Sequence, residues 1–296
     1  MFQRILLSGL LCCGAALNAA EPGRITVVYS SDAQPYVEAL DGLRASWVNS
    51  ALATVDLQSS NGQTQLANSV EGGSNRLIVT IGRDALEAVA ARKGDTPLIA
   101  TMIMHSELAG KPGVTAAVRL DIPLSGILGE LKTMFPRKNR VTVLRNPALP
   151  GQVETTAVAR ARQQGFALQV IDVAGPEESL RVLRALKGRA DFVVCLPDST
   201  LYNSATVKPL ILASLENQLP MVGFSQSFVR AGAAIGVYPD FRDIGSQTAE
   251  IAQKQLAGQS AAPVDGPRKL VVGVNPRVMR LLGLEYHEGG DVITVR

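Results

Sequence analysis

The 296-residue sequence is long enough for one large or two medium-sized domains, and 46% of its residues are hydrophobic, which is ample for a packed core. Its formal net charge at pH 7 is only +3. The basic residues are scattered, and their one local cluster, Arg137, Lys138 and Arg140, lies between a predicted helix and a predicted strand. This balance gives no basis for nucleic-acid binding, so we expect no nucleic-acid partner.

Residues 1–20 have the pattern of an export signal. Arg4 precedes an apolar run from Ile5 to Leu17, and the small residues Ala19 and Ala20 end the segment. The run is shorter than the roughly 18 apolar residues that a membrane-spanning helix needs. We therefore expect the chain to be exported, cleaved after Ala19 or Ala20 and released as a periplasmic protein.

Cysteine and histidine are too sparse to predict a disulfide or a metal site. Two of the three cysteines lie in the predicted signal, and the third, Cys195, lies in an apolar strand run, where we expect a small buried side chain. His105 and His287 have no second His or Cys at metal-ligand spacing. We predict no metal and no other cofactor.

Apolar runs of strand length alternate with segments of helical periodicity along most of the chain. The first pair is a strand over residues 24–30 and a helix over 35–49, and the alternation restarts near residue 121. About twelve strands are too many for one comfortable sheet. We predict an α/β fold of two similar lobes, each a mainly parallel sheet flanked by helices, with a cleft between them. A (β/α)8 barrel is the alternative.

The expected first lobe comprises residues 21–120 and 238–270, and the second comprises residues 121–237 and 271–296. The chain would then cross between the lobes three times, near residues 119–122, 235–240 and 269–275. Only residues 258–267 have the composition of a linker.

The segment over residues 192–225 is the most informative part of the sequence. Its apolar run, residues 192–196, predicts a buried strand, which Pro197 ends because proline cannot donate to the ladder. Ligands of open α/β sheets bind outside the carboxyl ends of the strands, so we expect a small molecule to contact the polar loop that follows. Capping of a helix is the alternative role for Asp198 and Ser199.

Polar side chains follow other predicted strands in the same way. Convergent groups of this kind can hold a small polar ligand by hydrogen bonds without a nucleophile. The predicted ligand-binding residues are Ser31, Asp32, Arg83 and Asp84 in the first lobe and Asn146, Asp198, Ser199, Thr200 and Ser225 in the second.

Signatures of catalysis are missing or incomplete. The sequence has no P-loop and no dinucleotide-binding glycine pattern after a strand. The stretch GFSQS at 223–227 resembles a nucleophile elbow, but Ser227 replaces its second glycine and His287 would have to serve as the base. We predict binding rather than catalysis and no catalytic residue, with a hydrolase as a minor alternative.

Five stretches of the sequence carry a resemblance to a known family: RVTVLRNPALP at 140–150, LPDST at 196–200, PMVGFSQSFVRAGA at 220–233, IGSQTAEIAQKQLAG at 244–258 and VNPRVMRLLGLE at 274–285. They resemble the substrate-binding proteins of ABC transporters in the tryptophan/tyrosine-binding-like group. The likeness covers roughly residues 24–288 and is most specific from residue 140 onward.

The resemblance implies a type I periplasmic binding protein fold, in which two α/β lobes joined by three crossover segments close on a ligand. By analogy, Asp198 would contact an amino group of the ligand, with Asn146 and Ser225 nearby in the same lobe. Many relatives have a small turn after the third strand, where this chain has Arg83 and Asp84. The implied partners are a small-molecule ligand and an ABC permease in the inner membrane. The alternative is a ligand-sensing or accessory module for a membrane receptor, without transport.

Overall fold

The computed structural model describes residues 24–48, 51–71, 75–108, 111, 113–149, 151, 153–260, 263–287 and 291–295. The predicted export signal lies outside these residues. Within the described ranges, no helix is both long enough and apolar enough to cross a membrane.

The strands and helices alternate along the chain. The strands are β1 Arg24–Tyr29, β2 Leu52–Asp56, β3 Asn75–Ile81, β4 Leu98–Ile103, β5 Val114–Arg119, β6 Arg140–Arg145, β7 Ala167–Asp172, β8 Phe192–Cys195, β9 Met221–Gly223, β10 Ile235–Pro239, β11 Val264–Asp265, β12 Leu270–Val274 and β13 Val292–Thr294. The helices are α1 Gln34–Ser46, α2 Gly62–Val70, α3 Arg83–Ala90, α4 His105–Leu108, α5 Leu124–Met134, α6 Ala157–Gln163, α7 Pro176–Ala185, α8 Val207–Glu216, α9 Gln226–Arg230, α10 Phe241–Leu256 and α11 Pro276–Leu281.

The strands form two separate sheets. The first has the order β11-β5-β4-β3-β1-β2 and is parallel, and the second has the order β13-β12-β10-β9-β8-β6-β7, in which β12 runs antiparallel to β10. Successive residues of a central strand enter different cores, as Val27 and Val28 of β1 do, because helices cover both faces. The prediction of two α/β lobes is confirmed. The barrel alternative is wrong because the strands divide between two open sheets.

The connections between the sheets all leave from the carboxyl ends of parallel strands. The chain leaves the first sheet after Arg119 of β5 and after Asp265 of β11, and it leaves the second after Pro239 of β10. The strand β12 begins at that same edge, because Leu270 pairs with Pro239. The connecting segments are residues 120–123, 240 and 266–269, so the carboxyl edges of the two sheets face each other.

Some elements differ from the sequence-based expectation. Residues 235–239 and 270–274 are strands inside the second sheet, so the second and third crossings are shorter than predicted. Tyr238, Pro239 and Leu270 accordingly pair in the second sheet. Three short elements, α4, α9 and β11, were not predicted because two to five residues are too few to show a period. The last of these lies in the segment interpreted as a linker.

Helices α1 and α10 pack against each other through glycines. A Cβ at Gly245 would collide with the carbonyl of Ala39, and one at Gly42 would collide with the carbonyl of Arg242. Ser246 Oγ donates to the Gly42 carbonyl at 3.3 Å across this contact. The helix α10 follows a strand of the second sheet, yet it thereby completes the core of the first lobe.

We expect Gly245→Ala to lower the free energy of unfolding by about 1–3 kcal/mol, because the added methyl group has to push the two backbones apart. Gly129→Ala in α5 is the matched control. No heavy atom lies within 4 Å of its added Cβ, so better helix propensity should raise the free energy of unfolding by about 0.5–1 kcal/mol. Urea denaturation measures both. Similar effects of the two substitutions would contradict the close helix contact.

Candidate functional site

Ser30 connects three elements at the carboxyl edge of the first sheet. Its hydroxyl donates to the Ile81 carbonyl at 3.2 Å and accepts from the Ala85 N–H at 3.1 Å, which ties β1 to the end of β3 and to the first turn of α3. Gly82, between β3 and α3, has φ of 95°, and a Cβ there would collide with Ser30 and with the ring of Tyr36. Glycine is therefore required at this turn.

The four first-lobe residues predicted from the sequence lie at this edge with different exposure. Ser31 is buried and its Oγ accepts a backbone N–H at 3.3 Å, whereas Asp32 and Asp84 are exposed. Arg83 is also exposed, and its Nε pairs with Glu87 Oε1 at 3.0 Å along α3. The hydrogen bond between them raises the pKa of Arg83 and lowers the pKa of Glu87. Because both partners are exposed, releasing Arg83 from this pair costs little.

Tyr36 is a first-lobe residue that the sequence analysis missed. Its ring is partly buried beside Gly82. Burial raises the pKa of its hydroxyl, and the nearby carboxylates of Asp84 and Glu107 add to the effect. The signal for this residue was its place in the first turn of α1, because residues that open a helix after a parallel strand lie at the carboxyl edge of the sheet. Tyr36 adds an aromatic face to this edge.

Asp198 is the most constrained of the predicted second-lobe residues. It follows β8 and is only 6% exposed. Its Oδ1 accepts from the N–H groups of Thr200 at 2.7 Å and Leu201 at 3.1 Å, which folds the loop into an Asx turn. Its Oδ2 is also buried, but it has no hydrogen-bond partner among the described residues.

The two oxygens of Asp198 therefore have different roles. Oδ1 satisfies the loop backbone in an Asx turn. It does not cap a helix, as was considered from the sequence, because α8 begins only at Val207. Oδ2 remains a buried acceptor without a donor, an arrangement that costs free energy unless a partner arrives from outside the chain. An ammonium group is well suited as that partner because it brings both a hydrogen bond and the opposite charge.

An aromatic cluster supports the Asp198 loop. The ring of Tyr202 lies 5.9 Å from that of Phe224 and 5.5 Å from that of Phe228. Burial raises the pKa of the Tyr202 hydroxyl well above its usual range, and the neighbouring Cys195 and Asp198 raise it further. Burial likewise raises the pKa of the Cys195 thiol to about 12. Both raised pKa values favour the neutral forms, and the prediction of a buried cysteine is confirmed.

The remaining second-lobe residues lie on either side of Asp198. Asn146 is buried at the end of β6, where its Oδ1 accepts a backbone N–H at 3.0 Å. Ser225 follows β9 and caps α9, because its Oγ accepts a backbone N–H at 3.2 Å. Ser199 and Thr200 are exposed on the loop itself. Since β6, β8 and β9 are neighbours in the sheet, Asn146 and Ser225 flank the Asp198 loop.

The residues considered for a hydrolase do not come together. Ser225 lies at the carboxyl edge of the second sheet, where its Oγ shares a hydrogen bond with Ser227 Oγ at 2.9 Å. The backbone N–H of His287 donates to the carbonyl of Met134, which ends α5 at the opposite edge of the sheet. Ser225 and His287 therefore form no catalytic pair. The described residues also contain no cluster of three or more His, Cys, Asp or Glu that could hold a metal ion.

Ion pairs occur at all three connections between the sheets, and in the first of them Asp121 pairs with Arg119 at 3.8 Å. Arg268 binds two carboxylates of α10, at 3.0 and 2.8 Å. Lys269 pairs with Asp240 in the second connection at 3.2 Å and with Asp291, just before β13, at 3.0 Å. The connections at 240 and 266–269 are thus held to each other, to α10 and to the segment before β13.

Replacing Asp198 should separate the roles of its two oxygens. We expect Asp198→Asn to raise the free energy of unfolding without ligand by about 1–2 kcal/mol, because it removes an uncompensated buried charge and keeps the Oδ1 acceptor. Asp198→Ala should lower it by about 1–3 kcal/mol, because two loop N–H groups lose their acceptor. Urea denaturation measures the free energies of unfolding of the two variants and of the unaltered protein and so gives their order of stability. If Asp198→Asn lowered the free energy of unfolding as much as Asp198→Ala does, the inference that Oδ2 lacks a partner would be wrong.

Comparisons with known proteins agree with this architecture. A family model described as ABC transporter substrate binding protein matches residues 38–289. A comparison with curated proteins found no match.

Three solved structures illustrate the fold. The ligand-free, open structure of CD0873, a substrate-binding protein with adhesive properties from Clostridium difficile, has 17% identity and a TM-score of 0.70, and the match covers 93% of this chain and 99% of that one. A domain from Streptococcus pneumonia in complex with L-Trp has 18% identity and a TM-score of 0.59, covering 92% and 99%. A conserved domain protein from Vibrio cholerae has 19% identity and a TM-score of 0.57, covering 93% and 99%.

At these identities the structural likeness shows the fold alone. The family model, by contrast, covers most of the sequence, and it confirms the resemblance noted from the five stretches. The chain belongs to the family of ABC transporter substrate-binding proteins.

Proposed function

We propose that the protein is the exported, periplasmic solute-binding component of an ABC transporter. Its ligand is a small polar molecule with an ammonium group, such as an amino acid, held in the cleft between the lobes and passed to an inner-membrane permease. The observation that carries this proposal is the buried Oδ2 of Asp198, which has no partner among the described residues. An ammonium group would supply the missing hydrogen bond and the opposite charge.

The surroundings of Asp198 support the same class of ligand. Asp32 and Asp84 are exposed at the facing edge of the first sheet, so the cleft carries more predicted carboxylates than cations. Arg83 is its one predicted cation, and its exposed pair with Glu87 is weak enough to exchange for an anionic group of the ligand. This arrangement suits a ligand with a strong positive centre and, at most, one anionic group that can reach Arg83.

The positions of the connections support a closing motion of the lobes. Residues 120–123, 240 and 266–269 join the two carboxyl edges, so bending there moves the candidate residues of one lobe toward those of the other. A ligand shifts this equilibrium only if it contacts both lobes in the closed state. We propose that the ligand first binds Asp198 while the lobes are open. Tyr36, Ser31 and Arg83 then complete the site when the lobes close.

A thermal-shift screen against amino acids, amines, organic acids and sugars tests the ligand class. A ligand at 100 times its dissociation constant should stabilise the protein by about 2.7 kcal/mol. We expect stabilisation by an ammonium-bearing compound, and its loss in Asp198→Asn, whose amide cannot compensate the ligand charge. Asp95→Asn, in the exposed turn before β4, is the control and should respond like the unaltered protein. A hit that Asp198→Asn still binds, or hits confined to sugars and organic acids, would contradict the proposal.

Small-angle X-ray scattering tests closure. Addition of a ligand identified in the screen should reduce the radius of gyration, because the lobes approach each other about the three connections. The same compound should leave the scattering of Asp198→Asn unchanged. Tight binding without any compaction would show that the ligand does not bridge the lobes.

A further inference from the structure

Positive charge is concentrated in one part of the second lobe. Residues 132–191 contain eleven Lys and Arg and five Asp and Glu, a net charge of +6, although the whole chain has only +3. The turns before β6, β7 and β8 all belong to this segment. In a parallel sheet these turns lie at the amino edge, opposite the cleft. Because β8, β6 and β7 are neighbours, the three turns lie side by side.

The fold therefore gathers basic residues that look scattered in the sequence. We call the group at these turns the basic edge, and its members are Lys132, Arg137, Lys138, Arg140, Arg162, Arg184, Lys187 and Arg189. Each is exposed or partly exposed. Within the described residues, the one ion pair at this edge joins Arg140 to Asp191 at 2.9 Å. Most of the positive charge at the basic edge is therefore uncompensated.

Three arginines of the basic edge line one open groove. Arg140, Arg162 and Arg189 border it, and Thr142 and Gln169 contribute polar groups to its lining. The groove has a volume of about 660 Å³. The planar, forked donors of Arg162 and Arg189 match the oxygens of a phosphate group, whereas those of Arg140 bond Asp191 and the Gly188 carbonyl. The groove can therefore receive the phosphate of a headgroup while the surrounding cations supply long-range attraction.

We propose that the basic edge docks on a bilayer surface that contains anionic phospholipids. The large apolar side chains in its turns, Phe135, Phe166 and Leu186, are at most 5% exposed. A stable protein interface is built around an apolar core. The groove has one exposed large apolar side chain, Val158 at 46%, which is too small to form such a core. Binding to an anionic lipid surface requires only positive charge spread over an area. Each Lys or Arg near the surface contributes about 1 kcal/mol to the binding free energy. Docking in this way leaves the cleft, at the opposite edge, free to bind ligand.

Vesicle co-sedimentation tests the proposal with the purified protein. Vesicles of phosphatidylcholine alone are compared with vesicles that also contain about 30 mol% phosphatidylglycerol. We expect binding to the anionic vesicles only, and its loss as the ionic strength rises from about 0.05 M to about 0.5 M, because salt screens exposed charges. The triple variant Arg137→Gln, Lys138→Gln and Arg189→Gln should bind about a hundredfold more weakly, at about fivefold for each charge.

A second triple variant controls for net charge. Arg44→Gln, Arg76→Gln and Lys254→Gln remove the same charge from exposed positions of the first lobe, and binding should stay within about threefold of the unaltered protein. Thermal unfolding verifies that both variants fold. The proposal is overturned if both triple variants lose binding equally, or if phosphatidylcholine vesicles bind as well. The proposal is also overturned if the protein does not bind the vesicles but binds polyglutamate in a salt-sensitive manner. That result would assign the edge to an acidic protein partner.

Discussion

The direction of the strands is the constraint on which the rest of this molecule depends. Strands β1 to β5 and β6 to β10 run parallel within their lobes, so the loop after each of these ten strands lies at one edge and the turn before it lies at the other. The connections join the two carboxyl edges, so the polar loops of both lobes face a common cleft. The turns with basic residues are placed, by the same rule, on the opposite side of the second lobe. One geometric fact thus separates the candidate ligand site from the charged surface.

Sequence reasoning was sufficient for features that depend on local pattern. The apolar run at residues 192–196 is the strand β8 over Phe192–Cys195, and the polar loop after it does hold Asp198. It was insufficient where the outcome depends on partners distant in the sequence. The spacing of residues in the sequence does not show that only one oxygen of Asp198 is hydrogen-bonded. It also does not show that Phe228 packs beneath the loop. The same holds for the basic edge, whose members are brought together only by the order of β8, β6 and β7.

The candidate site also shows how stability and function oppose each other at one side chain. The Asp198 loop is well packed, since Tyr202 and two phenylalanines lie beneath it and Oδ1 secures its backbone. Oδ2 is one of two buried polar atoms of this loop without a hydrogen-bond partner among the described residues, the other being the hydroxyl of Tyr202. Natural cores rarely retain such an atom unless it serves a purpose. The packing of the loop leaves little ordering for a ligand to cause, although a local displacement has to expose the buried Oδ2 before a ligand can contact it.

The contact between α1 and α10 has a consequence for biosynthesis. Gln253 of α10 donates to the carbonyl of Ser46 at the end of α1, across 207 positions of the sequence. At about 5–20 residues per second, a ribosome needs roughly 10–40 s to make that interval. During that time Leu40 and Leu43 of α1 lack the helix that covers them in the finished core. The second lobe is also incomplete at that stage, because Val272 and Val274 of β12 belong to its core and follow α10 in the sequence. Each lobe therefore depends on a segment made near the end of synthesis to complete its core.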